Sequence, residues 1–598
     1  MATSTLSSAD KLSSLRSLLK ESNLGGVIIP HDDEFMNEYT APYAERLKWI
    51  SHFSGSAGLA IVTQTHAALF SDGRYTLQMK QQVDPTLWET FHMTQTPPSQ
   101  WLKTLLPAEA LPIAYDPWLM TERALKPFQD AGLPLAPIDY NPIDRLWKDQ
   151  PAYPHSQLVV HPLSYAGVSS ESKRQTLAQT LQNTKTDLLL LTDPTNIAWL
   201  LNIRGHDIAY TPIALLCALF FQDGHMEVFT NKNDISPEIK EWVGKDVSFA
   251  NRSSMADILT QQHHKVVQYD PATTSVGFLS LLRAAQAQLI PKPDPCLILK
   301  SCKNPIEQEG ARLAHLKDGI ALCRFNYWLH FLSSEQLEQQ TEITAAAKLE
   351  TLRKQDKTYQ EDSFPAISAI GPQGAIIHYK ATNESAHTLS TNALYLLDSG
   401  GQYLEGTTDV TRTFWLGNEP PPLEITMMYT LVLKGHIALA SAHFPKGCTG
   451  SQLDSLARMF LWRHHADYDH GTGHGVGSYL SVHEGPPRIS SVPSIPLQAG
   501  MILSNEPGYY QEGQYGIRLE NLILVQEVPD TPQRPFLMFE TLTLVPFDRR
   551  LINPTLLTAP EVEWLNTYHS RIFQTISPQL TPQEQDWLRV ACEPITLS

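Results

Sequence analysis

Apolar positions along this chain follow two periods. Leu12, Leu15, Leu18 and Leu19 recur at three- and four-residue steps near the start, which predicts one face of a helix. A continuous apolar run follows, Gly26-Val27-Ile28-Ile29-Pro30, and reads as a buried strand. Further strands are predicted at 59–63 and 67–71. Helix and strand alternate to about residue 140, the pattern of an α/β domain. The stretch from Asn141-Pro142 to Pro151-Ala152-Tyr153-Pro154 is punctuated by proline and reads as a linker. The theme then repeats. Residues 170–183 read as helix and Thr186-Asp187-Leu188-Leu189-Leu190-Leu191-Thr192 as a buried strand, with strands at 213–221, 226–229 and 265–269. The repetition suggests two related regions. A second break falls at 291–295.

From about Lys303 the texture changes. Two long helices are predicted, at 305–332 and 334–354, then strands that carry acidic motifs, and a helical last segment over 556–594. The longest apolar run, around 212–221, is about half of what a membrane span needs. The polar N-terminus shows no signal peptide.

A chain of 598 residues is too long for one core, and about three to five domains are expected. Hydrophobic residues make up 42% and charged ones 18%, as in folded soluble proteins. The net charge of −17 repels nucleic acid and anionic membranes, so neither is expected as a partner. The six cysteines, Cys217, Cys296, Cys302, Cys323, Cys448 and Cys592, form no C-x-x-C pair. Reduced thiols and a cytoplasmic location are the expectation.

The chemistry is concentrated in the last third. Asp398 stands at the end of a predicted strand, before Gly400-Gly401, and Asp409 lies in the next one, 408–415. Glu506 closes a strand before Pro507-Gly508, and Glu520 lies in a strand over 516–525. Two hairpins of this kind can bring four carboxylates face to face. Four such groups cannot all ionise without cations. His474, between Gly473 and Gly475, adds an imidazole where missing side chains allow close approach. Two divalent metals would neutralise the set, and a carboxylate-rich site favours a hard ion such as Mn²⁺. A lone Asp at a strand end is usually a turn group; five such residues in order point to a metal hydrolase. There is no H-E-x-x-H, because His483-Glu484 continues as Gly485-Pro486-Pro487, and no G-x-S-x-G or P-loop.

These motifs resemble those of the pita-bread metallopeptidases, which include aminopeptidase P, prolidase and methionine aminopeptidase. The resemblance extends to Phe53-Ser54-Gly55-Ser56-Ala57-Gly58, Ser71-Asp72-Gly73-Arg74-Tyr75, Asn202-Ile203-Arg204-Gly205 with Asp207-Ile208, and Glu563-Trp564-Leu565-Asn566-Thr567-Tyr568-His569. It is strongest to the long, three-domain cytosolic type of Xaa-Pro aminopeptidase. The implied fold is α/β (α+β): creatinase-like α/β domains at 1–152 and 153–301, a pita-bread catalytic domain at 302–552 and a helical extension at 553–598. The resemblance places five metal ligands at Asp398, Asp409, His474, Glu506 and Glu520. It places substrate-site histidines at His378, His470 and His483, an arginine at Arg518, and proton transfer at Glu506 with the histidines as further catalytic candidates. Departures are Gln373 where Asn is frequent, Gly401 where Ala is frequent, and Pro365 for a more polar or smaller residue.

The resemblance implies release of the N-terminal residue from peptides with proline second, by water activated between two metals, and a homodimer. An Xaa-Pro bond has no N–H and a fixed backbone, which ordinary peptidase clefts fit badly. Two rival readings are a prolidase, which takes only Xaa-Pro dipeptides, and a metal-free binding protein of the same fold. The first is disfavoured by the long layout, the second by the intact ligand set.

Overall fold

Ser7 opens the first helix, Ser8–Glu21, in a capping box with Asp10, and Leu12, Leu15 and Leu19 are buried on its inner face, as the spacing predicts. The computed structural model describes residues 6–106, 110–530 and 533–597. Packing divides the chain into two compact units, Met1–Pro162 with Val168–Cys296 and Leu163–Gly167 with Leu297–Ser598.

The first unit is built on two six-stranded sheets. One runs in the order Glu89–His92, Ala67–Ser71, Leu59–Thr63, Gly26–Pro30, Ile113–Tyr115, Leu135–Pro137. The other runs Val247–Asn251, Met226–Thr230, Cys217–Phe221, Leu188–Leu191, Val266–Tyr269, Gln288–Pro291. In each sheet the third strand is antiparallel to both its neighbours, and the other neighbouring pairs are parallel. The two regions are therefore topological copies, a relation the repeated apolar pattern only suggested.

Several predicted elements differ, three of them outside the acidic motifs. The stretch read as a linker holds a helix, Pro142–Leu146, because Asn141 caps it and Pro142 is its first residue, a position where proline costs nothing. Ile143 is fully buried and Asp144 pairs with Arg46 at 2.7 Å. The strand predicted at 213–221 is only Cys217–Phe221. The helix predicted at 334–354 is two helices, Ser334–Glu338 and Glu342–Arg353, because Thr341 makes an N-cap that starts the second anew.

The second unit is mixed α and β. A three-stranded sheet orders Ile367–Ile370, Ala393–Ser399 and Val410–Leu416, all antiparallel. A four-stranded one orders His443–Pro445, Phe536–Thr541, Asn521–Glu527 and Ile502–Asn505. Helices Pro305–His330, Leu423–Ala440, Ala559–Ile576 and Pro582–Ala591 share one apolar cluster with the sheet residues Leu394, Trp415 and Ile517. Leu423–Ala440 has the length and mean hydropathy of a membrane span, yet 72% of it is buried within the fold, so it is a core helix. All six cysteines are free.

Candidate metal centre

Asp398 lies inside the strand Ala393–Ser399, opposite Thr411 in the antiparallel ladder, and Asp409 stands one residue before the strand Val410–Leu416. This reverses the expected placement. The chain between them folds as a small hairpin of Gly401–Tyr403 and Gly406–Thr407, paired to Tyr359–Asp362. Glu506 and Glu520 flank another register point, Asn505 opposite Asn521. Glu520 lies at the break between the strands Tyr515–Arg518 and Asn521–Glu527 rather than within one strand.

His474 sits on the short strand Gly473–His474, paired with Arg488–Ile489. Its N–H donates to Ser504 Oγ at 2.9 Å, and that hydroxyl donates to Glu506 Oε1 at 3.2 Å. Its ring Nδ1 donates to Gly475 O at 2.9 Å, which leaves the Nε2 lone pair toward the acids. Nε2 is 3.5 Å from Asp409 Oδ2 and 3.6 Å from Glu506 Oε1. Ligand atoms of Asp409, His474 and Glu520 all lie within 4.8 Å of one another.

Without metal the acids raise one another's proton affinity, a repulsion that a bound cation would relieve. Burial, then the charges of Asp398 and Glu506, hold the Asp409 carboxyl well above the usual carboxylate range. Burial and Asp409 do the same to Glu520. Burial and Glu520 push Glu506 to about 8. Asp398 Oδ1 and Glu520 Oε1 are buried, and among the described residues no donor reaches them. Buried carboxylate oxygens without donors, facing an imidazole lone pair, are a donor set that divalent metals complete. The residues present fit two such ions.

Around this set lies a chain of hydrogen bonds that the sequence did not disclose. Arg518, 2% exposed, donates from Nη2 to Asp398 Oδ2 at 2.6 Å and from Nη1 to Tyr510 OH at 2.8 Å. Tyr510 in turn meets His470 Nε2 at 2.8 Å, and His470 Nδ1 donates to Gly471 O at 2.8 Å. His470 thus reaches Asp398 through Tyr510 and Arg518. Tyr510 sits in the hairpin Gly508–Gln511 with Tyr515–Arg518; its place on the strand facing Arg518 is the signal that could have found it. The His483 ring lies edge-on to His474, with centroids 4.3 Å apart. His378 is half-buried and follows Ile377, whose carbonyl accepts from Arg518 Nη2 at 3.4 Å. These contacts link Asp398, Asp409, His470, His474, His483, Glu506, Glu520 and Arg518.

The sequence matches Metallopeptidase family M24 over residues 309–527, the Creatinase/Prolidase N-terminal domain over 11–137 and again, in a second form, over 149–307, and the C-terminal region of peptidase M24 over 535–595. A probable Xaa-Pro aminopeptidase P of Aspergillus niger is 37% identical over 99% of this chain and 100% of that protein. The chain belongs to the Xaa-Pro aminopeptidase P family. Aminopeptidase P1 of Arabidopsis thaliana is 36% identical over 98% of this chain and 99% of its own. Within the same family, the crystal structure of X-prolyl aminopeptidase from Caenorhabditis elegans, a cytosolic enzyme with a di-nuclear active site, superposes with a TM-score of 0.91 at 34% identity. The match covers 99% of this chain and 100% of that one. A prolidase from Thermococcus sibiricus, 22% identical with a TM-score of 0.51 over 64% of this chain, shares the fold alone. The two N-terminal α/β regions and the catalytic unit of this chain are thus those of the family, as the motifs implied.

Proposed function

We propose that this protein is a metal-dependent aminopeptidase that removes the N-terminal residue from peptides with proline in second position. The observation that carries the reading is the cluster of Asp409, His474 and Glu520 ligand atoms within 4.8 Å of one another, with Glu506 Oε1 3.6 Å from His474 and with Asp398 Oδ1 and Glu520 Oε1 buried and reached by no donor among the described residues, in a chain matched end to end by relatives named Xaa-Pro aminopeptidase P and aminopeptidase P1. Those five residues would hold two divalent ions, and the oxygen-rich donor set favours Mn²⁺. The ions, when bound, supply an acidified water and polarise a carbonyl.

The chain's own residues supply the rest. Glu506 takes the proton of the attacking water: its Oε1 faces His474 while Ser504 steadies it. The departing proline nitrogen becomes a basic secondary amine, and Glu506 returns the proton to it. His483, edge-on to His474, and His378 face the tetrahedral oxyanion and seat the proline. Arg518 orients Asp398 directly, and Tyr510 links His470 to Arg518. The dimer and the cytosolic location belong to the same proposal; the location is supported by the cytosolic relative from Caenorhabditis elegans.

The test pairs an Xaa-Pro-Yaa tripeptide with an Xaa-Pro dipeptide on Mn²⁺-loaded protein, with Asp409→Asn as control. Tripeptide cleavage after the first residue, little on the dipeptide and none by the variant, is expected. Dipeptide cleavage alone would make it a prolidase, and no cleavage of either would remove the reading.

A further inference from the structure

The C-terminal helix Ala559–Ile576 reaches the metal centre through one hydroxyl. Tyr568, 4% exposed, accepts at its OH from Arg412 Nη2 at 3.0 Å. The same OH lies 3.2 Å from Asn521 Oδ1 and 3.0 Å from the carbonyl oxygens of Thr543 and Val545; its single hydrogen serves this cluster. Arg412, 1% exposed, donates from Nη1 to Thr411 O at 2.8 Å and Glu520 O at 2.6 Å. Its Nη2 donates to Asn521 Oδ1 at 2.7 Å and Val545 O at 2.6 Å. One guanidinium therefore clamps the strand after Asp409 to the peptide of Glu520. Among the described residues its hydrogen-bond partners are carbonyl oxygens and the Tyr568 hydroxyl, none a carboxylate. The two Nη2 hydrogens are shared among Asn521, Val545 and Tyr568, so removing the hydroxyl redistributes the bonds that fix this buried cation.

Glu520 hangs on this clamp. Its N–H donates to Thr411 O at 3.1 Å, and Thr411 Oγ1 donates to Glu520 Oε2 at 2.7 Å. The remaining oxygen, Oε1, is buried, and no donor among the described residues reaches it. Its place is set by Thr411 and Arg412, and the Tyr568 hydroxyl accepts from that same Arg412.

We propose that Tyr568 is a positioning residue for Glu520, so that the C-terminal helix is part of the metal centre's support. The inference rests on the reading of Glu520 as a metal ligand. Groups that orient metal ligands typically change metal affinity about 10- to 100-fold when removed. Tyr568→Phe is the informative variant: it keeps the ring stacked on Trp564 at 5.2 Å and deletes only the hydroxyl. Full-length protein is stripped of metal and titrated with Mn²⁺, following free Mn²⁺ by its electron paramagnetic resonance. In parallel, kcat and KM are measured on an Xaa-Pro-Yaa tripeptide. The expected result is Mn²⁺ bound 10-fold or more weakly by Tyr568→Phe, with activity at limiting Mn²⁺ reduced and KM for the peptide unchanged at saturating Mn²⁺.

Asn566→Ala is the control on the same helix. Among the described residues its amide holds only Ile595, at 2.8 and 2.9 Å, so the variant lowers the melting temperature without moving the Mn²⁺ titration. Wild-type Mn²⁺ binding by Tyr568→Phe would overturn the inference, whatever its melting temperature. So would an equal weakening in Asn566→Ala. If the wild type itself neither binds Mn²⁺ nor cleaves the tripeptide, the functional reading fails instead.

Discussion

Arg518 meets Asp398 at 2.6 Å, Nη2 to Oδ2, while Asp398 Oδ1 is left buried with no donor among the described residues. The guanidinium thus holds one oxygen of the carboxylate and aims the other. Its second arm ends on Tyr510. A lysine ammonium is a point charge and cannot span both partners with a fixed fork. Arg518→Lys is therefore expected to lower kcat/KM on an Xaa-Pro-Yaa tripeptide by about 10- to 100-fold, with weaker Mn²⁺ binding. Steady-state kinetics and a Mn²⁺ titration check this. A variant within twofold of wild type in both would show that Arg518 does not orient Asp398.

Metal removal has a signature apart from activity. Asp409 and Glu520 are buried and Glu506 is half-buried beside them, and their charges raise one another's proton affinity, a repulsion that bound ions relieve. Ions that bind only the folded chain stabilise it by about 2.7 kcal/mol at 100 times their Kd. Mn²⁺ is expected to raise the melting temperature of stripped wild type, and Asp409→Asn, having lost one ligand, is expected to show a markedly smaller rise. An equal rise in the two proteins would place the ions somewhere else.

The parts of the fold that were legible were those where one local rule decides. Gly26–Pro30, Leu59–Thr63 and Ala67–Ser71 are apolar runs bounded by turn residues, and each is a strand with those limits. The acidic residues and His474 announced themselves because carboxylates beside glycines at strand ends are chemically expensive. What stayed hidden depends on pairing. The helix Pro142–Leu146 has a local start in Asn141 and Pro142, but a five-residue helix is held by Ile143 in the core and Asp144 on Arg46, which the proline-rich stretch did not reveal. Tyr510 looks like any strand tyrosine until the hairpin brings Arg518 to it. Glu520 reads as mid-strand from its apolar neighbours, yet the chain breaks there because its N–H donates to Thr411 O on another strand.

Gly473 and Gly475 bracket His474 for a steric reason. A Cβ on Gly473 would lie 2.0 Å from Ser504 O, and one on Gly475 would lie 2.2 Å from Glu484 O. Both clashes are with backbone: the first pushes the His474 strand from the strand leading to Glu506, the second from Glu484. Gly473→Ala is expected to cost about 1–3 kcal/mol of stability, as overpacked sites do, and to remove most peptidase activity by displacing His474. Denaturant unfolding and tripeptide kinetics on the folded variant check the two effects. Full activity in Gly473→Ala would mean that His474 does not need this register.

Acid sensitivity of the second unit is expected to come partly from buried histidines. Burial, then the charge of Arg412, lowers His436 to about 3, and burial with Arg412 and Arg549 lowers His569 to about 3. In the unfolded chain each titrates near 6.5. Between these values the unfolded state binds the extra proton, so stability is present above about pH 6.5 and is lost as pH falls toward 3. From pH 7.5 to 5.5 each histidine removes about 1.4 kcal/mol. His569 Nε2 accepts from Phe547 N–H at 3.3 Å, a bond that a glutamine oxygen can replace. His569→Gln is thus expected to lose about 1.4 kcal/mol less than wild type over that pH range, whatever its stability at pH 7.5. Urea unfolding of both proteins at the two pH values measures the difference. An identical loss in both would show that His569 is already protonated in the folded protein, or that it stays neutral in the unfolded one.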